Sequence, residues 1–321
     1  MNLPIKHSTA VLLIMSVMLL LLSACTRITP PLLLGPVTAD TGPVTASTLK
    51  LLTLNIAHGR KDSLNQMLVS SSTIRNNLDD IAGLLMEANA DVVALQEADG
   101  PSAWSGYFNH VSYLASVASY PWDIYSAHVN GKRINYGTAL LSRVPFQDAI
   151  SHDFPESPPT LRKGFTLGQI EWQPDENKPP IAVDILSVHL DFSRSKVRKQ
   201  QISDILRILE ERNGPTIILG DFNSDWLKDD SVVKTLAECG NTKVYKPNSI
   251  NHGTYKSGKH RLDWVLLSDE LEFKQYQVLP DIVSDHQAII VEVAYAGDPQ
   301  QNTGTKHFGS AKCNDLAAPA N

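Results

Sequence analysis

The chain has 321 residues, of which 42% are hydrophobic and 19% charged, and its formal net charge is −6. Such a composition excludes a disordered chain and allows one large core. The acidic balance offers no support for a protein that grips long nucleic acid, which usually presents a net basic face.

Residues 1–24 carry Lys6 and then an apolar run from Val11 to Leu22. The run is short for a membrane-spanning helix, which needs ~20 residues, and suits the core of a signal peptide. It ends in Leu22-Ser23-Ala24-Cys25, which resembles the bacterial lipobox. That resemblance implies a diacylglycerol on Cys25, and Thr26 in place of aspartate implies the outer membrane. An ordinary signal or an uncleaved anchor is the alternative. Residues 25–48, rich in Pro, Thr and Gly, read as a flexible tether.

The folded part is expected over residues 49–296, with residues 297–321 as a loose polar tail. Leu49–Leu54 reads as a buried strand and Ile74–Ala88 as a helix with Ile74, Leu78, Ile81, Leu84 and Leu85 at helical spacing. Asp91–Gln96, Thr138–Leu141 and Ile181–Leu190 read as strands, and Ser195–Arg212 as a helix stopped by Gly214-Pro215. Strands follow at Thr216–Leu219, Leu262–Leu267, Phe273–Val278 and Ala288–Ala294. The mixture predicts a layered α/β sandwich, which pattern alone does not separate from a doubly wound sheet. Cys239 and Cys313 are either a disulfide or two thiols.

Polar residues recur where these strands end: Asn55, Glu97, His189, Asp221 with Asn223, and Asp285 with His286. Asp263 lies inside an apolar run. Strand ends and their loops are where α/β enzymes gather their sites. Chemistry on a phosphate ester needs offset negative charge, an aligned water and a stabilised leaving oxygen. Asn55, Glu97 and Asp285 suit Mg²⁺, a hard cation that takes a few oxygen ligands and keeps waters. A histidine suits proton transfer, and Asp263 is a candidate to orient His286. Taken singly, each residue also has a structural explanation, such as a turn cap or a surface ion pair. Lys132, Arg133, Arg162 and Lys163 read as solvated surface or as contacts for further phosphates or a lipid headgroup. His58 either faces the site or fills a turn.

The ordered set resembles the endonuclease/exonuclease/phosphatase superfamily. The matching stretches are Thr53-Leu54-Asn55-Ile56, Leu95-Gln96-Glu97, Gly137–Arg143, Ser187-Val188-His189-Leu190, Gly220-Asp221-Phe222-Asn223, Arg261–Val265 and Ser284-Asp285-His286. The resemblance implies a four-layer sandwich of two mixed sheets flanked by helices, with water attacking phosphorus in line. It implies Glu97 as the main metal ligand, with Asn55 near the metal, and Mg²⁺ with Mn²⁺ as a substitute. Asp221 would align or deprotonate water, Asn223 would hold it or a phosphate oxygen, Asp263 would orient His286, His286 would contact the scissile phosphate or act as the base in place of Asp221, and His189 would donate to phosphate. One departure stands out: no Asp or Glu lies between Asp123 and Asp148, where deoxyribonuclease-like members pair an acid with the His189 equivalent. That makes His189 a hydrogen-bond donor rather than a strong acid. The expected activity is phosphoester hydrolysis on a lipid or small molecule. A nonspecific nuclease and a non-catalytic binding lipoprotein are the alternatives. The chain is expected to be a monomer without a protein partner, held to the cell envelope through Cys25.

Overall fold

The computed structural model describes residues 42–297, Cys313, and the backbone of Ile28–Thr29 and Leu32–Leu34. Cys25, the signal segment and most of the expected tail lie outside the described residues. In chain order the strands are β1 (Ile28–Thr29), β2 (Leu32–Leu34), β3 (Val44–Thr45), β4 (Thr48–Asn55), β5 (Val92–Asp99), β6 (Trp122–Asn130), β7 (Asn135–Ser142) and β8 (Asp148–Asp153). They continue with β9 (Gly164–Gln173), β10 (Ile181–His189), β11 (Thr216–Asp221), β12 (Thr242–Val244), β13 (Asp263–Ser268), β14 (Leu271–Val278) and β15 (Ile289–Tyr295). The helices are α1 (Ser71–Ala88), α2 (His110–Val117), α3 (Ser195–Glu210) and α4 (Val232–Cys239).

One sheet runs β1-β8-β9-β10-β11-β13-β12, with β3 beside β9; the other runs β14-β15-β4-β5-β7-β6-β2. Period-two alternation sorts the strand side chains between layers. Leu49 and Leu51 of β4, Val92 and Ala94 of β5, and Ile185 of β10 fill the space between the sheets. Leu52, Leu54, Val93 and Leu95 face outward onto Ile74, Leu78 and Ile81 of α1 and Leu114 of α2. Leu186, Val188 and Ile218 face outward onto Ile202, Ile205 and Leu209 of α3 and Leu236 of α4. Both faces of the central strands are therefore covered, which is why they read as continuous apolar runs. The result is the expected four-layer α/β sandwich. Ser70 and Ser231 cap α1 and α4 by accepting from the Thr73 and Lys234 amides.

The stretch expected to be a tether joins the sandwich. β1 pairs with β8, β2 with β6 and β3 with β9. At the other end, Cys239 and Cys313 form a disulfide that closes a sequence separation of 74.

β4 and β5 are parallel, as are β10 and β11, so four strands finish at one end of the molecule. β13 and β15 run antiparallel to these and start there, because Asp263 pairs with Asp221 and Ile289 with Thr53.

Candidate active site

That end gathers the polar strand termini. Backbone pairing alone sets Asp221 between His189 and Asp263. Gly220, at φ +142°, precedes Asp221, and a Cβ there would lie 2.1 Å from the Val188 carbonyl oxygen. Only glycine lets β11 lie this close to β10 at the site. Glu97 sits on a bulge in β5, at φ +49°, where the register with β7 shifts between Gln96 and Ala98. A bulge re-aims one side chain; here it breaks the alternation at Glu97. The two sheets are tied beside it. Gln96 Nε2 donates to Ser187 Oγ at 3.0 Å, and Asn55 Nδ2 donates to Asp221 Oδ2 at 3.0 Å.

A cleft of about 390 Å³ takes in Asn55, Glu97 and Asp285 together with His189, Asp221, Asn223 and His286. Asp263 stands behind it, reached through His286. Its Oδ2 accepts from His286 Nδ1 at 2.8 Å and from Thr254 Oγ1 at 2.5 Å. His286 Nε2 lies 3.8 Å from Asp221 Oδ2. Burial works against a charge on His286, but the Asp263 and Asp221 carboxylates outweigh it and push its pKa up to about 10. Burial raises the Asp221 pKa; the His286 cation opposes that rise and Asp263 reinforces it. Asn223 donates its amide N–H to Asp221 Oδ1 at 2.9 Å and its side-chain Nδ2 to the Leu190 carbonyl at 3.1 Å.

His189 has a different neighbour. Its Nε2 lies 3.7 Å from Asp221 Oδ2 and 3.8 Å from Glu97 Oε1, and its Nδ1 lies 3.5 Å from Lys163 Nζ. Lysine only donates, so Nδ1 accepts and the ring proton is assigned to Nε2, facing the carboxylates. Burial and then the Lys163 charge hold the imidazole well below its ordinary pKa. Lys163 is buried, which overturns its reading as solvated surface. Its sequence neighbours in that reading stay outside: Lys132 and Arg133 are exposed on the β6–β7 hairpin, and Arg162 pairs with Asp153 and Glu156.

Two further residues complete the site. His58 faces it: Nε2 is 3.2 Å from Glu97 Oε2, Nδ1 is 2.7 Å from Asp99 Oδ1, and the ring stacks on Trp104 at 4.8 Å. Burial opposes ionisation of Glu97, yet His58, Lys163 and His189 together hold its carboxyl well below the usual range. Arg60 pairs with Asp285 at 2.6 Å. Spacing from Asn55 hinted at His58, whereas nothing in the sequence pointed to Arg60. In the loop before β13, Tyr255 reaches His286 at 4.8 Å, but His252 packs on Tyr245 and Tyr276 instead.

A two-sheet sandwich with carboxylates, an acid-paired histidine and a neutral histidine in one cleft defines a hydrolase-type site. The profile of the endonuclease/exonuclease/phosphatase family matches residues 52–286, and the chain belongs to that family. No curated protein matches the chain in sequence. Solved structures share the fold. An endonuclease/exonuclease/phosphatase from Beutenbergia cavernae DSM 12333 is 17% identical over 79% of this chain and 73% of its own, with a TM-score of 0.59. A mannosyl-6-phosphatase from Bacteroides thetaiotaomicron VPI-5482 is 17% identical over 77% and 100%, with a TM-score of 0.56. The human Nocturnin catalytic domain with bound sulfate is 18% identical over 83% and 97%, with a TM-score of 0.56.

Members of this family are phosphoester hydrolases that use a divalent metal. The donor chemistry here fits such an ion in two places. Glu97, held anionic, shares the cleft with the carboxylate of Asp285 and the amides of Asn55 and Asn223. Separately, Asp221, Asp263 and His286 each offer a ligand atom within 4.8 Å of one another, and Asp263 Oδ1 is buried without a hydrogen-bond partner. The first set is richer in oxygen and suits a hard cation better. In the second, the Asp263 oxygen and His286 Nδ1 are already spent on each other. Asn55 Oδ1 accepts from the Ala57 amide, Asp285 Oδ2 accepts from Arg60, and Glu97 Oε2 lies 3.2 Å from His58 Nε2.

Proposed function

We propose that the chain is a Mg²⁺-dependent phosphoester hydrolase, with Mn²⁺ as a substitute, acting by in-line attack of water. The observation that carries this reading is the division of labour around Asp221. A carboxylate that burial has made basic lies 3.8 Å from a cationic His286 and 3.7 Å from a neutral His189. Asp221 accepts the proton of the attacking water as the new P–O bond forms and the bond to the leaving oxygen breaks. The His286 cation and the His189 Nε2–H donate to the phosphoryl oxygens, and Asn223 holds Asp221 in place. Glu97, with Asp285 and Asn55, would hold the metal, whose contribution is to neutralise phosphoryl and leaving-group charge.

The substrate class is a lipid or small-molecule phosphoester, and the protein acts as a monomer. We place it in the bacterial cell envelope, anchored through Cys25 at the outer membrane. The Cys239–Cys313 disulfide supports export, because disulfides persist in oxidising compartments. The test is hydrolysis of a generic phosphodiester, DNA, RNA and phospholipids by the processed chain, with and without EDTA. Asp221→Ala and His286→Ala each lower kcat at least ~100-fold with circular dichroism unchanged, as loss of an acid or base requires. Wild-type turnover in both variants rejects the mechanism.

A further inference from the structure

Among the described residues, eleven large apolar side chains are exposed, and nine of them stand on loops at the catalytic end. Leu64, Met67 and Leu68 follow β4, Tyr107 follows β5 and Phe192 follows β10. Leu227 follows β11, while Leu161, Ile250 and Ile282 precede β9, β13 and β15. Met86 and Val117 lie elsewhere, on α1 and α2. Isolated exposed apolar residues need no explanation, but their concentration on one end does.

Charge follows the same division. The loops at this end (residues 56–70, 100–109, 131–134, 154–163, 190–194, 222–231, 245–262 and 279–288) hold twelve Lys and Arg against eight Asp and Glu. The whole chain is net −6, so these loops form a net cationic rim, while the acids Glu97, Asp99, Asp221 and Asp263 lie on the strand ends beneath it. Residues 245–262 alone carry Lys246, Lys256, Lys259 and Arg261 with no acid.

The chain direction gives a third, independent pointer. β1 is antiparallel to β8, with Ile28 opposite His152 and Thr29 opposite Ser151. The next residue of β8, Asp153, pairs with Gly164, which pairs with His189. The chain thus enters the sheet from the catalytic end. Cys25 is three residues upstream of Ile28, within about 11 Å along the backbone. An acyl group on Cys25, as proposed above, would be tethered within that reach of the catalytic end.

We propose that the catalytic end docks on an anionic phospholipid surface, its apolar loop tips inserted among the lipids, so that the cleft draws its phosphoester from a lipid headgroup. This rests on the hydrolase reading above and narrows its substrate. Apolar insertion together with attraction to anionic lipid is how a peripheral surface binds a membrane.

The test uses the processed chain from Thr26, which keeps every described residue but has no acyl group. Its binding is measured by co-sedimentation with vesicles of phosphatidylcholine alone or mixed with phosphatidylglycerol. It binds the mixed vesicles better, and salt weakens the binding. The triple variant Leu64→Glu, Met67→Glu, Ile250→Glu loses about tenfold or more in affinity, whereas Met86→Glu with Val117→Glu loses nothing. Both variants hydrolyse soluble bis(p-nitrophenyl) phosphate as wild type does. Wild-type protein that cleaves this soluble diester yet ignores both vesicles overturns the docking and leaves the hydrolase standing. Protein that binds vesicles but cleaves neither the soluble diester nor a phospholipid overturns the headgroup substrate. Equal vesicle binding by the triple variant, a dimer that the triple variant dissolves, or tighter capture of single-stranded DNA than of vesicles also overturns it.

Discussion

Two buried histidines flank the same carboxylate, Asp221, at 3.7 and 3.8 Å, yet their surroundings are opposite. His286 rests on the carboxylate of Asp263, and its pKa is pushed up. His189 rests on the ammonium of Lys163, and its pKa is pushed down. Burial lowers both, so the sign of the neighbouring charge decides between them. One site therefore holds a cationic and a neutral imidazole at the same pH, each with a different use against a phosphoryl group.

The largest effect on this pair of histidines lies at Asp263. Asp263→Asn removes the charge that keeps His286 protonated, and kcat falls about 100-fold or more, as for loss of a catalytic acid or base. The pKa of His286, followed by NMR, moves down from about 10. An unmoved pKa would assign the cation to Asp221 alone. Lys163→Met is milder. It removes a charge that depresses His189, so the His189 pKa rises while turnover drops by about tenfold, the scale of a donor made less certain in its tautomer. A ring that keeps its ¹⁵N pattern in this variant would show that Lys163 does not choose the tautomer.

The smallest effect is on stability at low pH, through the loop that carries Lys163. Asp191 Oδ1 accepts from the Ser193 and Arg194 amides at 2.9 and 2.8 Å, and Oδ2 accepts from Thr160 at 2.6 Å. Burial opposes its ionisation, but these hydrogen bonds outweigh it and hold the pKa at about 2. A carboxylate whose folded pKa is lowered stabilises above its unfolded value, and that stability is lost as pH falls through the folded one. Melting temperature therefore declines from about pH 4, the unfolded value, towards pH 2. Asp191→Asn flattens that decline and lowers the melting temperature at neutral pH.

The elements legible in the sequence are those with long, one-sided patterns. α1 and α3 show apolar residues at helical spacing, and β4, β5, β10 and β11 are continuous apolar runs because both faces are buried. α2 and α4 span eight residues each, about two turns, too few for a period to emerge. β9 is not legible in the sequence because Gly164, Thr166 and Gly168 break its apolar run. The site residues were visible because a strand end imposes a motif on its immediate neighbours. Lys163, His58 and Arg60 act across the cleft on partners far away in sequence, and no local pattern records that.

The chain by itself determined the main strands and helices and the set of polar residues, since hydrophobic periodicity and strand-end chemistry are both local; the order of the layers came from strand pairing. Only the tertiary structure decided which charge each histidine meets. Parallel pairing of β10 with β11 puts His189 beside Asp221, and the start of β9 brings Lys163 behind it. An imidazole in the chain is one titrating ring like any other. Its protonation is set by groups within a few ångströms, and those arrive only when the two sheets close.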